Sequence, residues 1–162
     1  MKQARVAIIA ASDSSLPVME TAVKVLAEFG VPYTLTISSA HRSPERTLQL
    51  VAAFQKNNVK VIIAGAGLAA HLAGVVAAHF PLPVIGVPLK DGALNGVDAL
   101  YATVQMPPGI PVATVGIDNA KNAGLLAIQM LAISDASLEK KLIAYKKSLA
   151  KSVEEKAKKL EK

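Results

Sequence analysis

Tyr33-Thr34-Leu35-Thr36-Ile37-Ser38-Ser39-Ala40-His41-Arg42-Ser43-Pro44 reads as a strand that runs through a polar loop into a helix. The β-branched and aromatic residues of Tyr33–Ser38 suit a pleated, extended segment. Pro44 fits the first helical turn, where a missing N–H costs nothing, and Ser43 before it reads as the N-cap. The loop between them sets an imidazole beside a guanidinium. His41 can move protons near neutral pH, and Arg42 can grip an anion through a fixed fork of donors. The carboxyl end of a strand in an open α/β sheet is where small phosphorylated molecules are held.

The same alternation extends in both directions. Strands are expected at Arg5–Ala10, Tyr33–Ser38, Lys60–Ala64, Pro83–Val87 and Val112–Val115. Most are continuous apolar runs, as strands covered on both faces require. Helices are expected at Pro17–Phe29, Pro44–Asn57, Ala69–His79, Leu94–Val104 and Asn119–Ile133. Gly30 followed by Val31-Pro32 stops the first of them. Successive β-α units imply a parallel sheet with right-handed crossovers. The expected fold is therefore an α/β three-layer α/β/α sandwich, flavodoxin-like, with a five-stranded parallel sheet in the order 2-1-3-4-5. That order reverses between the first and third strands, so a cleft should open above their carboxyl ends.

Three loops converge on that expected cleft. The first, Ala11-Ser12-Asp13-Ser14-Ser15, places hydroxyls and free N–H groups at a helix N-terminus, which suits an anion; simple helix capping is the plainer alternative. The second holds Ser39, His41 and Arg42. The third, Ala64-Gly65-Ala66-Gly67, lets backbone approach a ligand closely, although tight packing would explain a Gly-x-Gly pair equally well. His71 is expected inside the helix that follows, in a core, an interface or a site. His79 reads as a C-terminal residue favourable to its helix dipole. The stretch Gln105–Pro111, with its prolines and Gly109, suits a shaped wall over a site or a subunit seam.

Composition narrows the classes. The chain has 162 residues, 52% of them hydrophobic and 19% charged, which suits one domain with apolar surface to spare for an oligomer. There is no cysteine, hence no disulfide framework and no thiolate nucleophile. No apolar run suits a membrane span, and no leader is apparent, so a cytoplasmic protein is expected. The net charge of +6 is concentrated in residues 139–162, where nine Lys mix with four Glu. Those cations fall on a helical pattern with no aromatic platform beyond Tyr145, which reads as a solvated helix face rather than a nucleic-acid surface.

From Ala136 to about Leu160, Leu138, Leu142, Tyr145, Leu149 and Val153 recur at helical spacing. Residues 1–134 are expected to form the flavodoxin-like catalytic domain, and 135–162 a helix that packs on neighbouring subunits. The alternative is a helix folded back on its own domain. No His/Asp/Glu cluster has metal-ligand spacing, and no Ser-His-acid arrangement is apparent. The residues by themselves lead to a cytoplasmic α/β enzyme acting on a small phosphorylated molecule by acid–base chemistry.

Several of these stretches together resemble one family. Ser39-Ala40-His41-Arg42-Ser43-Pro44, Ala64-Gly65-Ala66-Gly67 with Ala69-Ala70-His71-Leu72, Pro83-Val84-Ile85-Gly86-Val87-Pro88 and Gln105–Val115 are similar to the N5-carboxyaminoimidazole ribonucleotide mutases of purine biosynthesis (PurE, class I). The likeness runs from about Val6 to Ile133. It implies an isomerase that converts N5-carboxyaminoimidazole ribonucleotide to 4-carboxy-5-aminoimidazole ribonucleotide, with no metal or organic cofactor. It also implies a homo-octamer whose sites are shared between subunits, with no nucleic-acid or membrane partner. By motif position His41 would be the catalytic acid/base. Ser12, Ser15 and Arg42 would bind substrate, Arg42 near the phosphate, with Ser39, Gly67 and His71 beside them.

The chain departs from that family at four places: Ala11 where a glycine is usual, Ser15 for an acid expected at the ribose, Leu68 for a glycine and Ala73 for a proline. Two other readings therefore stand beside the mutase. One is an aminoimidazole ribonucleotide carboxylase that uses free carbon dioxide, against which Arg42 and Gly65-Ala66-Gly67 argue. The other is a non-catalytic oligomeric nucleotide-binding protein.

Overall fold

The computed structural model describes residues 3–160. In chain order it runs β1 (Val6–Ala10), α1 (Leu16–Phe29), β2 (Tyr33–Ile37), α2 (Pro44–Lys56), β3 (Val61–Gly67), α3 (Leu72–His79), β4 (Val84–Leu89), α4 (Val97–Val104), β5 (Ala113–Thr114), α5 (Ala120–Ala132) and α6 (Ala136–Leu160). One 3₁₀ turn, Asp13–Ser15, leads into α1. The strands form a parallel sheet in the order β2-β1-β3-β4-β5, as expected from the alternation.

Alternate residues of each central strand feed two separate cores. Val6 and Ile8 of β1, Ile63 of β3 and Ile85 of β4 face α1 and α5. Ala7 and Ile9, Ile62 and Ala64, and Val84 face the side covered by α2, α3 and α4. Every residue of β1 is fully buried, which is why its sequence is an unbroken apolar run. Each buried Ile contributes roughly 1.5–3 kcal/mol relative to exposure. The edge strand β2 differs: Thr34 and Thr36 are half-buried, and Tyr33 and Ile37 are exposed.

Element ends follow local chemistry. Gly30 closes α1 with φ +72°, a left-handed conformation that a side chain would resist. Pro44 opens α2, but the Ser43 hydroxyl does not cap it. That hydroxyl instead donates to the Ser39 carbonyl at 3.1 Å and accepts from the Ser39 N–H at 3.1 Å. Arg46 ties the start of α2 back to β2, donating from Nε to the Ile37 carbonyl at 3.1 Å. The fourth helix starts at Val97 rather than Leu94, because Gly92 (φ +61°), Asn95 (φ +51°) and Gly96 (φ +89°) hold the preceding segment in turns.

The final helix divides its stripe. Leu138 is buried, and Leu142 and Tyr145 pack partly against the α1–α5 core. The rings of Phe29 and Tyr145 meet edge to face at 5.7 Å, and Lys141 Nζ donates to the Phe29 carbonyl at 2.7 Å. Leu149 and Val153 lie beyond, exposed. At the helix start, Arg5 Nη1 donates to Asp135 Oδ2 at 2.7 Å. The Arg5 guanidinium and the Leu138 N–H hold the Asp135 carboxyl below its ordinary range. The expected division at 134/135 thus falls one residue before α6; residues 1, 2, 161 and 162 lie outside the described residues. Among the described residues, no helix is long and apolar enough to cross a membrane.

Candidate functional site

A cleft of about 660 Å³ opens above the carboxyl ends of the strands. Its walls come from the segments after β1, β2, β3 and β4, with Asp118 from the turn before α5. The topology creates it: crossovers from β1 and β3 leave in opposite directions, so their exit loops part and leave a gap.

The first wall is a cluster of hydroxyls. Ser12 is extended (φ −156°), and its Oγ lies 2.7 Å from Ser14 Oγ and 3.1 Å from Ser15 Oγ. None of the three caps a helix through its side chain. Ser15 is buried at the first turn of α1, Ser14 is exposed, and Asp13 stands exposed beside them. Ala11 also lines the cleft, its N–H donating to the Gly65 carbonyl at 2.9 Å.

The second wall is a loop closed on itself. Ser43 N–H donates to the Ser39 carbonyl at 2.9 Å, and Arg42 N–H donates to Ser39 Oγ at 3.2 Å. Below it Ser38 and Thr47 share a buried hydroxyl contact at 2.9 Å. His41 and Arg42 therefore project, exposed, from a rigid base.

The third wall corrects two expectations. Gly65 and Gly67 are not in a loop: β3 continues through Gly67, paired with Leu89 of β4. Gly65 makes room for a helix rather than for a ligand, since a Cβ there would lie 2.3 Å from Met19 Sδ. Only Gly67 reaches the cleft; a Cβ on it would stand 2.9 Å from Asp91 Cβ. His71 is not inside a helix either. It precedes α3, which begins at Leu72, because Ala70 and His71 spend their N–H groups on tight turns to Leu68 and Ala69. This leaves His71 exposed with Nδ1 2.8 Å from His41 Nε2, the ring centroids 4.8 Å apart.

Ser12, Ser15, Ser39, His41, Arg42, Gly67 and His71 all line this one cleft. Of the four departures, Ala11, Ser15 and Leu68 line it as well, whereas Ala73 lies on the buried face of α3, in the core. Leu68 adopts φ +54°, an unusual conformation for a branched side chain. The Gln105–Pro111 stretch is not part of the cleft; Gly109 and Pro111 border a separate cavity with Phe80 and Leu82. Sequence reasoning missed Lys90, Asp91 and Asp118, although all follow the carboxyl ends of strands, where such sheets bind ligands. Among the described residues, no group of three or more His, Asp or Glu is placed to hold a metal ion.

A family model described as AIR carboxylase matches residues 5–152. The chain is 57% identical over 156 residues to the N5-carboxyaminoimidazole ribonucleotide mutase of Pyrococcus horikoshii, covering 96% of this chain and 88% of that protein. It is 53% identical over 156 residues to the phosphoribosylaminoimidazole carboxylase of Saccharomyces cerevisiae, covering 96% of this chain but 27% of that protein. The crystal structure of Treponema denticola PurE matches the fold with a TM-score of 0.89 at 28% identity, over 97% of this chain and 98% of that one.

Proposed function

This chain belongs to the AIR carboxylase family, and from that premise we infer its reaction and the residues that perform it. It is an isomerase of purine biosynthesis that converts N5-carboxyaminoimidazole ribonucleotide to 4-carboxy-5-aminoimidazole ribonucleotide. The mutase relative matches along most of its own length. The yeast carboxylase shares only about a quarter of its length with this chain, so its name describes a larger protein.

One observation carries the assignment of roles: His41 and His71 meet at 2.8 Å in the cleft that Arg42 and the serine cluster also line. In the reaction the carbamate N–C bond breaks and releases carbon dioxide, while a proton goes to the nitrogen. The ring carbon then bonds to carbon dioxide and gives up its own proton. His41 is the catalytic acid/base for both transfers, since an imidazole can take up a proton on one step and give one back on the next. His71 orients that ring through the shared hydrogen bond. Arg42 clamps the phosphate beside the hydroxyl of Ser12, Ser15 faces the ribose hydroxyls, Ser39 braces the loop, and Gly67 gives the substrate close access to backbone. Anchoring the ribonucleotide by its phosphate keeps the ring in place between the two steps.

A homo-octamer in the cytoplasm, with α6 laid on neighbouring subunits, is the assembly proposed. The exposed Leu149 and Val153 support it, as do Leu94, Val97, Tyr101 and Val104, exposed at helical spacing along and just before α4. The deciding experiment supplies purified protein with either the carbamate substrate or aminoimidazole ribonucleotide plus bicarbonate. Product from the first at low bicarbonate supports the mutase. Product only from the second makes the chain a carboxylase, and binding without product a non-catalytic protein.

A further inference from the structure

Two cationic residues line the cleft, Arg42 and Lys90. Among the described residues, neither Arg42 nor Lys90 has a carboxylate within salt-bridge distance. Elsewhere in the chain Arg5, Arg46, Lys60 and Lys141 each donate to a partner.

The carboxylates beside Lys90 are engaged with backbone instead. Asp118 Oδ1 accepts the Lys90 N–H at 2.8 Å, and Asp91 Oδ1 accepts the Gly92 N–H at 2.9 Å. Asp118 itself donates its N–H to the Pro88 carbonyl at 2.9 Å, and does so in the left-handed region at φ +56°. An unfavourable backbone conformation held at the edge of a cleft points to a constraint the site needs. The two hydrogen bonds grip β4 on either side of Leu89, where the chain leaves the sheet. The absent Cβ of Gly67 leaves Asp91 its place against β3. Lys90 thus starts from a backbone fixed on both sides, at the lining of the cleft.

Resting on the mutase reading above, we propose that Lys90 holds the carboxylate of substrate and product, and that Asp118 is the positioning residue that sets it. The ribonucleotide carries two anionic groups, and Arg42 at the phosphate leaves the carboxylate without a cation. The carbamate and the ring carboxylate are both anions, whereas the carbon dioxide between them is neutral. A compact ammonium on a flexible stem can release the first and follow it to the second, which a rigid guanidinium fork does less well.

The test is calorimetric binding of two ribonucleotides, aminoimidazole ribonucleotide and its 4-carboxy derivative, with steady-state kinetics alongside. Lys90→Met should weaken the carboxylated ligand roughly tenfold or more and leave the uncarboxylated one unchanged. Its KM should rise by the same factor with kcat nearly kept. Asp118→Ala should reproduce that KM rise, and Asp118→Asn, which keeps a carbonyl acceptor, should restore it. Equal weakening of both ligands by Lys90→Met would place the lysine at the phosphate and overturn the proposal. So would no change in either, or an Asp118→Asn no better than Asp118→Ala. Should the wild-type protein bind neither ribonucleotide, the mutase reading itself falls.

Discussion

His41 Nε2 and His71 Nδ1 stand 2.8 Å apart, brought together from loops thirty residues distant in sequence. One nitrogen must donate and the other accept, so the two rings are locked into complementary tautomers.

Replacing His41 with Asn would remove the proposed proton shuttle and leave a polar side chain of similar reach. Turnover should fall by about 10²–10⁴-fold. Ligand affinity and the thermal midpoint should stay near wild type, because His41 is exposed and buries nothing in the core. Steady-state kinetics beside calorimetry would check this; near-normal turnover would remove His41 from the chemistry.

His71→Ala should act more mildly. It takes away one hydrogen bond that orients His41, which is worth about 0.5–1.5 kcal/mol, so kcat should drop by several-fold to about tenfold. The pH–rate profile of the variant should also shift relative to wild type. A loss as large as that of His41→Asn would make His71 a reacting group in its own right.

Ser15→Asp places a carboxylate at the N-cap of α1, where the Ser15 hydroxyl lies 3.1 Å from Ser12 Oγ. Negative charge there is favoured by the helix dipole by about 0.3–1 kcal/mol. The thermal midpoint should hold or rise, and KM for the ribonucleotide should fall if a sugar hydroxyl meets this position. An unchanged KM would place the ribose elsewhere.

Acid should weaken the contact between Arg5 and Asp135 in a definite window. The folded chain keeps the Asp135 carboxyl ionised to lower pH than the unfolded chain does. The unfolded state therefore binds the proton first as pH falls, so the stabilisation begins to fade at the ordinary carboxylate value of about 3.9 and is lost as pH falls through the lowered one. Urea midpoints of wild type and Asp135→Asn should differ near pH ~7 and converge as pH falls through the lowered Asp135 value. A constant difference would show that the contact acts through packing alone.

Ending the chain after Lys147 keeps Leu138, Leu142 and Tyr145 on the domain and removes Leu149 and Val153. Circular dichroism should report a folded domain, while light scattering should report a smaller assembly. An assembly of unchanged size would assign α6 no role between subunits.

Much of the fold was legible because each strand announces its environment. β1 is buried on both faces and reads as an unbroken apolar run; Gly30 and Pro44 mark the ends of helices by their own backbone limits. The cleft was legible wherever its lining comes from one local stretch, as in Ser39–Arg42. It failed where geometry depends on distant pairing. β3 runs through Gly67 only because Leu89 lies beside it, and no local signal says so. Asp118 reaches Lys90 only because β5 lies next to β4 and a non-glycine residue tolerates φ +56°. The apolar run around His71 reads as helix, but two tight turns delay the first helical residue to Leu72.

The cleft draws its walls from segments spread between Ala11 and Asp118, so they adjoin only in the native chain. A nucleotide can thus recognise the folded state and scarcely any denatured one, which couples occupancy to unfolding by mass action. At a hundredfold excess over its dissociation constant, such a guest would add about 2.7 kcal/mol to the native state. Melting curves alone would then rank metabolites by affinity, without any turnover being followed.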